Sequence, residues 1–187
     1  MSYFIGYNLE GEAKRYHETL TRDLSERFGL TPLHERVPPH CTLYPSFLAT
    51  PEHLEEIEKV IENFIQTIEP MPVLIDRFVH FGHKTIALYG KLTQPGRDFF
   101  ENFAKEIGAR PWLAIVNEKN RKNPETDYLH ASVARFVNED QFPEVWEYIQ
   151  TLPPPRFALL LDAITIYTRI DTHWEIYKSF PIAQKLA

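Results

Sequence analysis

Four histidines of the chain are each followed, two residues later, by a serine or threonine. In a β-strand, residues i and i+2 project from the same face, so an imidazole and a hydroxyl at this spacing could hold one ligand. In a helix the same spacing places the two side chains on nearly opposite sides. Such short triplets also arise by chance, so their context must choose among them. The four triplets are His17/Thr19, His40/Thr42, His83/Thr85 and His130/Ser132.

The surrounding sequence separates these four triplets. The triplet of His17 lies in a pattern typical of an amphipathic helix, where its two members diverge. The triplet of His83 begins a strand, and we interpret this histidine as a residue of a surface turn. His40 and His130 both lie on strands, at equivalent places in two successive series of elements. That equivalence favours these two as a functional pair.

Two imidazoles with two hydroxyls fit the chemistry of a phosphate ester. A displacement at phosphorus needs a base to activate the attacking oxygen and an acid to protonate the departing one. Histidine suits both tasks because its unperturbed pKa is near neutrality. The hydroxyls of Thr42 and Ser132 could donate hydrogen bonds to the non-bridging oxygens as charge shifts during the reaction. This scheme, with His40 and His130 on opposite sides of one phosphorus, requires no metal.

Strand alternation names further neighbours of these residues. Tyr44 is expected to share a face with the first histidine, and Tyr128 to share one with the second. Either ring could stack on a nucleobase, worth roughly 1–3 kcal/mol per base, or pack in the core or rim instead. Arg135 is expected to point to the opposite face from Ser132. The cations of Arg121 and Lys122 lie in a polar loop that either attracts an anionic ligand or is simply solvated.

The elements that position the two triplets recur in the order strand, helix, strand, helix, strand. Strand composition and helical periodicity support this order, as do a Thr50-Pro51 helix start, Gly29 as a helix stop and Asn138 as a helix cap. We predict strands at 3–7, 40–47, 73–81, 85–92, 128–137, 157–161, 163–169 and 174–180, and helices at 11–28, 51–68, 95–107 and 139–150.

This repetition predicts an α+β, bilobal, pseudo-twofold fold. Two antiparallel sheets would line a central cleft, with helices on the outer faces. No stretch of flexible composition separates the halves, so residues 1–187 are expected to form a single domain of two interleaved lobes.

Composition limits the class of ligand. The 187 residues carry a net charge of −6, which argues against a broad, charge-driven grip on long duplex nucleic acid. A short ligand with one or two phosphates needs only a few local cations and hydroxyls. The single cysteine, Cys41, and the absence of a long apolar run or a signal-like N-terminus favour a cytoplasmic protein without a membrane segment.

With these residues the chain resembles the two-histidine (2H) phosphoesterases, and most closely their 2′–5′ RNA ligase-like branch. The resemblance rests on two motifs, Pro39-His40-Cys41-Thr42-Leu43 and His130-Ala131-Ser132-Val133-Ala134-Arg135, and extends to the N-terminal strand and the segment 164–169. It implies a bilobal fold, no metal, and activity on 2′,3′-cyclic phosphates or 2′–5′ linkages in RNA or nucleotides.

The resemblance also implies roles for individual residues. His40 and His130 would be catalytic, and Thr42 and Ser132 would bind phosphate. For opening a 2′,3′-cyclic phosphate to a 2′-phosphate we assign His130 as base and His40 as acid; ligation would exchange these roles. Many relatives carry a lysine where this chain has Tyr44. That difference and the acidity weaken a ligase assignment more than a phosphoesterase assignment.

Two other classes of function compete with this interpretation. A metallohydrolase could use His80 and His83 with Cys41 or His40, but no third ligand has convincing spacing. A non-catalytic module could bind a nucleotide or RNA end in the same cleft. We expect no cofactor, no metal, a nucleotide or RNA-end phosphate ester as partner, and a monomer. The physiological substrate, base preference and direction of reaction stay open.

Overall fold

Helices and strands alternate along the residues that the computed structural model of the chain describes, 1–115 and 128–183. The strands are β1 (Ser2–Asn8), β2 (His40–Leu48), β3 (Met71–Phe81), β4 (Thr85–Leu92), β5 (Ala114–Ile115), β6 (Tyr128–Arg135), β7 (Phe157–Leu161), β8 (Ala163–Ile170) and β9 (His173–Pro181). The α-helices are α1 (Gly11–Phe28), α2 (Pro51–Ile65), α3 (Gln94–Gly108) and α4 (Phe142–Thr151). A short 3₁₀ turn covers Leu33–Glu35.

The strands form two antiparallel sheets. Sheet A has the order β5-β2-β1-β8-β9, and sheet B has the order β6-β4-β3-β7. The third strand of the first series, β3, therefore belongs to sheet B, while β8 from the end of the chain pairs with β1 in sheet A. Each series thus contributes a strand to the other's sheet, which confirms the predicted α+β, bilobal fold.

One helix, α1, is exchanged in the same way. Helix α1 follows a strand of sheet A but packs on sheet B, where the Tyr16 ring lies 5.3 Å from that of Phe157 in β7. Helix α4 also covers sheet B, through Phe142 against His80 of β3. Helix α2 contacts β9 of sheet A, and helix α3 contacts β2 of sheet A as well as β3 and β4 of sheet B. None of the helices among residues 1–115 and 128–183 has the length and apolarity needed to cross a membrane.

Helix α2 shows how closely local sequence dictates an element. Thr50 accepts a hydrogen bond from the backbone N–H of His53 at 3.3 Å, and Pro51 occupies the first turn, as the sequence predicts. Its apolar residues recur at helical spacing and face the core. Those buried residues are Leu54, Ile57, Ile61 and Ile65.

Helix α4 begins later than predicted. Asn138 does not cap it, because its side-chain oxygen instead accepts the backbone N–H of Asp140 at 3.1 Å in a turn. Gln141 precedes the first helical residue, Phe142. The two-residue strand β5 was not predicted either, since two residues are too few to show an alternating pattern.

Candidate active site

His40 is the first residue of β2 and is held by the backbone just before it. Its Nδ1 lies 2.8 Å from the carbonyl oxygen of Pro38. A carbonyl can only accept, so Nδ1 carries the proton, and in the neutral ring Nε2 keeps its lone pair. The half-buried ring packs against the stacked rings of Phe4 and Tyr167, with centroid distances of 4.7 and 5.3 Å. The orientation of this imidazole is therefore fixed from two sides.

Thr42 lies two residues further along β2, opposite Gly6 of β1. Gly6 is needed at this place, because a Cβ atom there would come within 2.8 Å of the carbonyl oxygen of Cys41. The Thr42 side chain is half-buried, and its hydroxyl makes no hydrogen bond to another described residue. It is available to a ligand beside His40.

His130 and Ser132 occupy β6 of sheet B, opposite Tyr89 and Ala87 of β4. Both side chains are half-buried, while Leu129, Ala131 and Val133 between and around them are buried. The His130 ring packs on Phe81 at 4.8 Å. The second motif thus presents an imidazole and a hydroxyl on one face, as the spacing predicts.

The two motifs meet because β2 lies against β6 between the sheets. Burial lowers the pKa of His40 to about 4; the Pro38 carbonyl opposes that shift, while the charges of His17, His130 and Arg135 reinforce it. Burial, helped by Arg135, also lowers the pKa of His130 to about 4. Coulombic influence of this kind requires proximity. In the free protein both imidazoles are therefore neutral at pH 7.

The predicted orientation of Tyr44 is wrong. The register of β2 shifts between Thr42 and Tyr44, since Gly6 pairs with the first and Ile5 with the second. This bulge reverses the alternation and turns Tyr44 to the packed side, where it is 5% exposed and faces Gly108 at the end of α3. The structure does not bring Tyr44 to the cleft.

The predicted orientation of Arg135 is wrong for the same reason. In β6 the register shifts between Ser132, which pairs with Ala87, and Ala134, which pairs with Ile86. The bulge buries Ala134 and returns Arg135 to the face of Ser132. Its guanidinium influences both catalytic candidates electrostatically. Arg135 is thus a cation on the face of the second motif, which strict alternation hid.

Tyr128 lies on the side of His130, with 6.3 Å between the two ring centroids. It stacks on Tyr89 at 4.8 Å and runs nearly parallel to Phe81 at 6.1 Å. These three half-buried rings form an aromatic wall beside the second imidazole. A role for Tyr128 in ligand binding stays a prediction.

Helix α1 supplies His17, whose triplet the helical spacing excluded as a functional pair. The Nε2–H of His17 donates to the carbonyl oxygen of Ser132 at 2.8 Å, which ties α1 to the second motif. The side chain is 2% exposed, and its buried Nδ1 has no partner among the described residues. Burial lowers its pKa to about 4, with the Ser132 carbonyl opposing and His34 adding to that shift. His17 thus remains neutral beneath the site.

The remaining candidates lie elsewhere. His80 and His83 both pack on Phe142 of α4, at 5.3 and 5.2 Å. Over residues 1–115 and 128–183, no three His, Cys, Asp or Glu side chains are grouped as a metal site would need. Arg121 and Lys122 lie outside the described residues.

Comparison with known proteins places this geometry in context. A family model described as the 2'-5' RNA ligase superfamily matches residues 10–173. No curated protein sequence matches the chain.

Solved structures share the fold at low sequence identity. E. coli LigT complexed with 3'-AMP is 18% identical with a TM-score of 0.57, over 97% of this chain and 98% of that one. TT0787 of Thermus thermophilus is 13% identical with a TM-score of 0.60 and the same coverage. Kluyveromyces marxianus Usb1 is 14% identical with a TM-score of 0.55, over 96% and 97% of the two chains.

Proposed function

This chain belongs to the 2'-5' RNA ligase superfamily, and from that membership we propose that it acts on 2′,3′-cyclic phosphate or 2′–5′ phosphodiester bonds in nucleotides or RNA ends. His40 and His130 would be its acid–base pair, and no metal would take part. The observation that carries the proposal is that two His-x-Ser/Thr strands from different sheets contact each other, with both histidines under the electrostatic influence of Arg135.

Opening of a 2′,3′-cyclic phosphate illustrates the proposed roles. His130 would accept a proton from water as the water oxygen bonds to phosphorus, and His40 would donate a proton to O3′ as the P–O3′ bond breaks. The product would be a 2′-phosphate. The Pro38 carbonyl supports this assignment, because it accepts from Nδ1 of His40 and stabilises the protonated ring. Among the described residues His130 has no such partner.

The proton that His40 donates would arrive with the substrate. Both imidazoles are neutral at pH 7 in the free protein, because burial lowers both pKa values to about 4. An anionic phosphate placed between them favours their charged forms and raises both pKa values. Binding would therefore be accompanied by proton uptake, and the acid would form only when a phosphate is present.

The remaining polar groups would stabilise the charge that develops on phosphorus. Thr42 and Ser132 would donate hydroxyl hydrogen bonds to the non-bridging oxygens, and Arg135 would balance their negative charge. Because these groups are held in place by the two sheets, little reorganisation is needed during the reaction.

The ligand would be small. Structures of E. coli LigT hold 3'-AMP, ATP and NADP+, which supports a nucleotide ligand for this chain as well. A net charge of −6 also favours a small nucleotide or RNA end over a long duplex. Tyr128, which is half-buried beside His130, would contact a base on that side.

Turnover of 2′,3′-cyclic nucleotides tests this proposal. We expect His40→Ala and His130→Ala each to lower kcat by about 10²- to 10⁴-fold, with nucleotide binding retained. His83→Ala is the matched control, because this histidine belongs to the same type of triplet but packs on Phe142. Activity of the wild type should survive treatment with a chelator.

The product and the variants also separate the proposal from its alternative. A 2′-phosphate product supports the assigned roles of the two histidines, and a 3′-phosphate would reverse the choice of scissile bond. A wild-type protein that binds nucleotides without turning over cyclic phosphates or 2′–5′ dinucleotides would instead be a binding module.

A further inference from the structure

Phe136, the residue directly after β6, combines two unfavourable properties. Its φ angle is 58°, in the left-handed region that large side chains rarely adopt. Its side chain is 81% exposed, the highest value among the exposed large hydrophobic residues of the described chain. A bulky residue in strained backbone, with its ring in solvent, indicates a constraint other than packing.

Strand pairing explains the backbone but not the ring. Arg135 pairs with Thr85, and the N–H of the buried Val137 then donates to the carbonyl of Lys84 at 3.2 Å. Phe136 is the extra residue between these two connections. Glycine is the residue that such a left-handed bulge ordinarily favours. A phenylalanine there adds exposed apolar surface that the fold does not need.

The ring lies beside the cation of the proposed active site. The Cζ atom of Arg135 is 5.2 Å from the centroid of Phe136, and the same guanidinium influences His40 and His130. A phosphate held by Arg135 would thus have an aromatic surface next to it, at the end of β6 opposite Tyr128.

The other aromatic rings considered around the histidines are buried or half-buried and pack on one another. Phe4 and Tyr167 are buried and stack on each other at 4.3 Å. Tyr89 and Tyr128 stack on one another beside Phe81. Phe136 is the ring near the motifs that combines high exposure with a neighbouring guanidinium.

We propose that Phe136 is a stacking surface for a nucleobase of the ligand whose phosphate lies between His40 and His130. The proposal rests on the function proposed above. Stacking uses the π-face that every base has, so Phe136 would strengthen nucleotide binding with little preference among bases. The adjacent guanidinium would hold the phosphate of the same ligand.

Binding of two probes, inorganic phosphate and 2′-AMP, tests this role in the full chain. We expect Phe136→Gly to weaken 2′-AMP binding by about 5- to 150-fold, the equivalent of 1–3 kcal/mol, and to leave phosphate binding within about twofold of wild type. Phe136→Trp should retain the affinity for 2′-AMP. Because glycine tolerates the left-handed backbone, Phe136→Gly should unfold at the same or a higher temperature than wild type.

Asp171→Gly is the matched control, since Asp171 is an exposed residue with a φ of 52° in the turn between β8 and β9. It should gain stability in the same way and keep its affinity for 2′-AMP. If Phe136→Gly bound 2′-AMP as tightly as wild type, or lost as much affinity for phosphate as for 2′-AMP, the role of Phe136 would be overturned. The proposed function would be untouched by either result. A wild type that binds neither probe would overturn the proposed function, and this role with it.

Discussion

The two halves of the site use the same backbone device with different side chains. Each motif strand carries a histidine, a hydroxyl residue and then a bulge that reverses the alternation. In β6 the bulge returns Arg135 to the face of the site. When the two histidines are aligned, the residue of β2 that corresponds to Arg135 is Pro45. The two halves are therefore matched in geometry but not in charge.

The histidines differ in a parallel way. His40 donates to the Pro38 carbonyl, whereas the Ser132 carbonyl of the other motif is bound by His17 from α1. In the first motif a hydrogen bond thus holds the imidazole itself, whereas in the second motif a hydrogen bond holds the backbone of the hydroxyl residue. A pseudo-symmetric pair can become a distinct acid and base through such neighbours, without any change in the two histidines themselves.

Among the changes that test this difference between the two halves, removal of the cation of the second motif is expected to have the largest effect on activity. Arg135→Ala should lower kcat/KM for a 2′,3′-cyclic nucleotide by about 10²- to 10³-fold, because no residue of the β2 motif supplies a second positive charge. Pro45→Ala is the matched change in the other half and should stay within about threefold of wild type. Steady-state kinetics of the two variants measure these effects. Equal losses of kcat/KM in both would contradict the charge asymmetry.

The next largest expected effect is that of His17 on the free energy of unfolding as the pH falls. Its pKa is about 4 in the folded protein and near 6.5 when unfolded, so the unfolded chain binds more protons and stability is lost as pH falls from 6.5 towards 4. Between pH 7 and pH 4.5 this histidine should cost about 2–3 kcal/mol in the free energy of unfolding. His17→Gln, which can still donate to Ser132, should remove that part of the pH dependence.

Denaturant unfolding at the two pH values measures the His17 effect. His83→Gln is the control, since that histidine is exposed. If His17→Gln were as acid-sensitive as wild type, His17 would not be a neutral buried group.

The pH dependence of the rate sharpens the comparison of the two imidazoles. The proposed acid–base reaction needs one of them protonated, and both pKa values lie at about 4 in the free protein. The protonated fraction therefore falls as pH rises, and kcat/KM should decrease by about tenfold per unit between pH 5 and pH 8. A maximum of kcat/KM above pH 7 would contradict the effect of burial on these residues.

The smallest expected effect concerns Tyr44. Because Tyr44 faces α3 and not the cleft, Tyr44→Phe should leave KM and kcat within about twofold of wild type. Tyr128→Leu is the comparison variant: loss of its contact with a base should raise KM by about fivefold or more. A comparable rise in KM for Tyr44→Phe would place the Tyr44 ring in the binding site.

Sequence predicted the elements better than it predicted which side chains point into the cleft. Over residues 1–115 and 128–183, periodicity and helix-start signals located the four helices and eight of the nine strands, and they placed His40 and His130 on equivalent strands. The orientations of Tyr44 and Arg135 were wrong, because a one-residue bulge leaves no mark in the residue pattern. One further contact, between His17 and the Ser132 carbonyl, joins residues far apart in the chain and depends only on tertiary structure.

The exchange of strands between the two halves has a consequence for synthesis. Strand β1 is synthesised well before one of its two neighbours in sheet A, β8, which begins only at Ala163. Pairing between such distant strands forms slowly, because the entropy cost of closing the long loop between them must be met before their contacts contribute any stability. One edge of β1 must therefore stay unpaired until β8 has been made. We expect the nascent chain to depend on chaperone protection during that interval, more than a protein whose halves fold in succession.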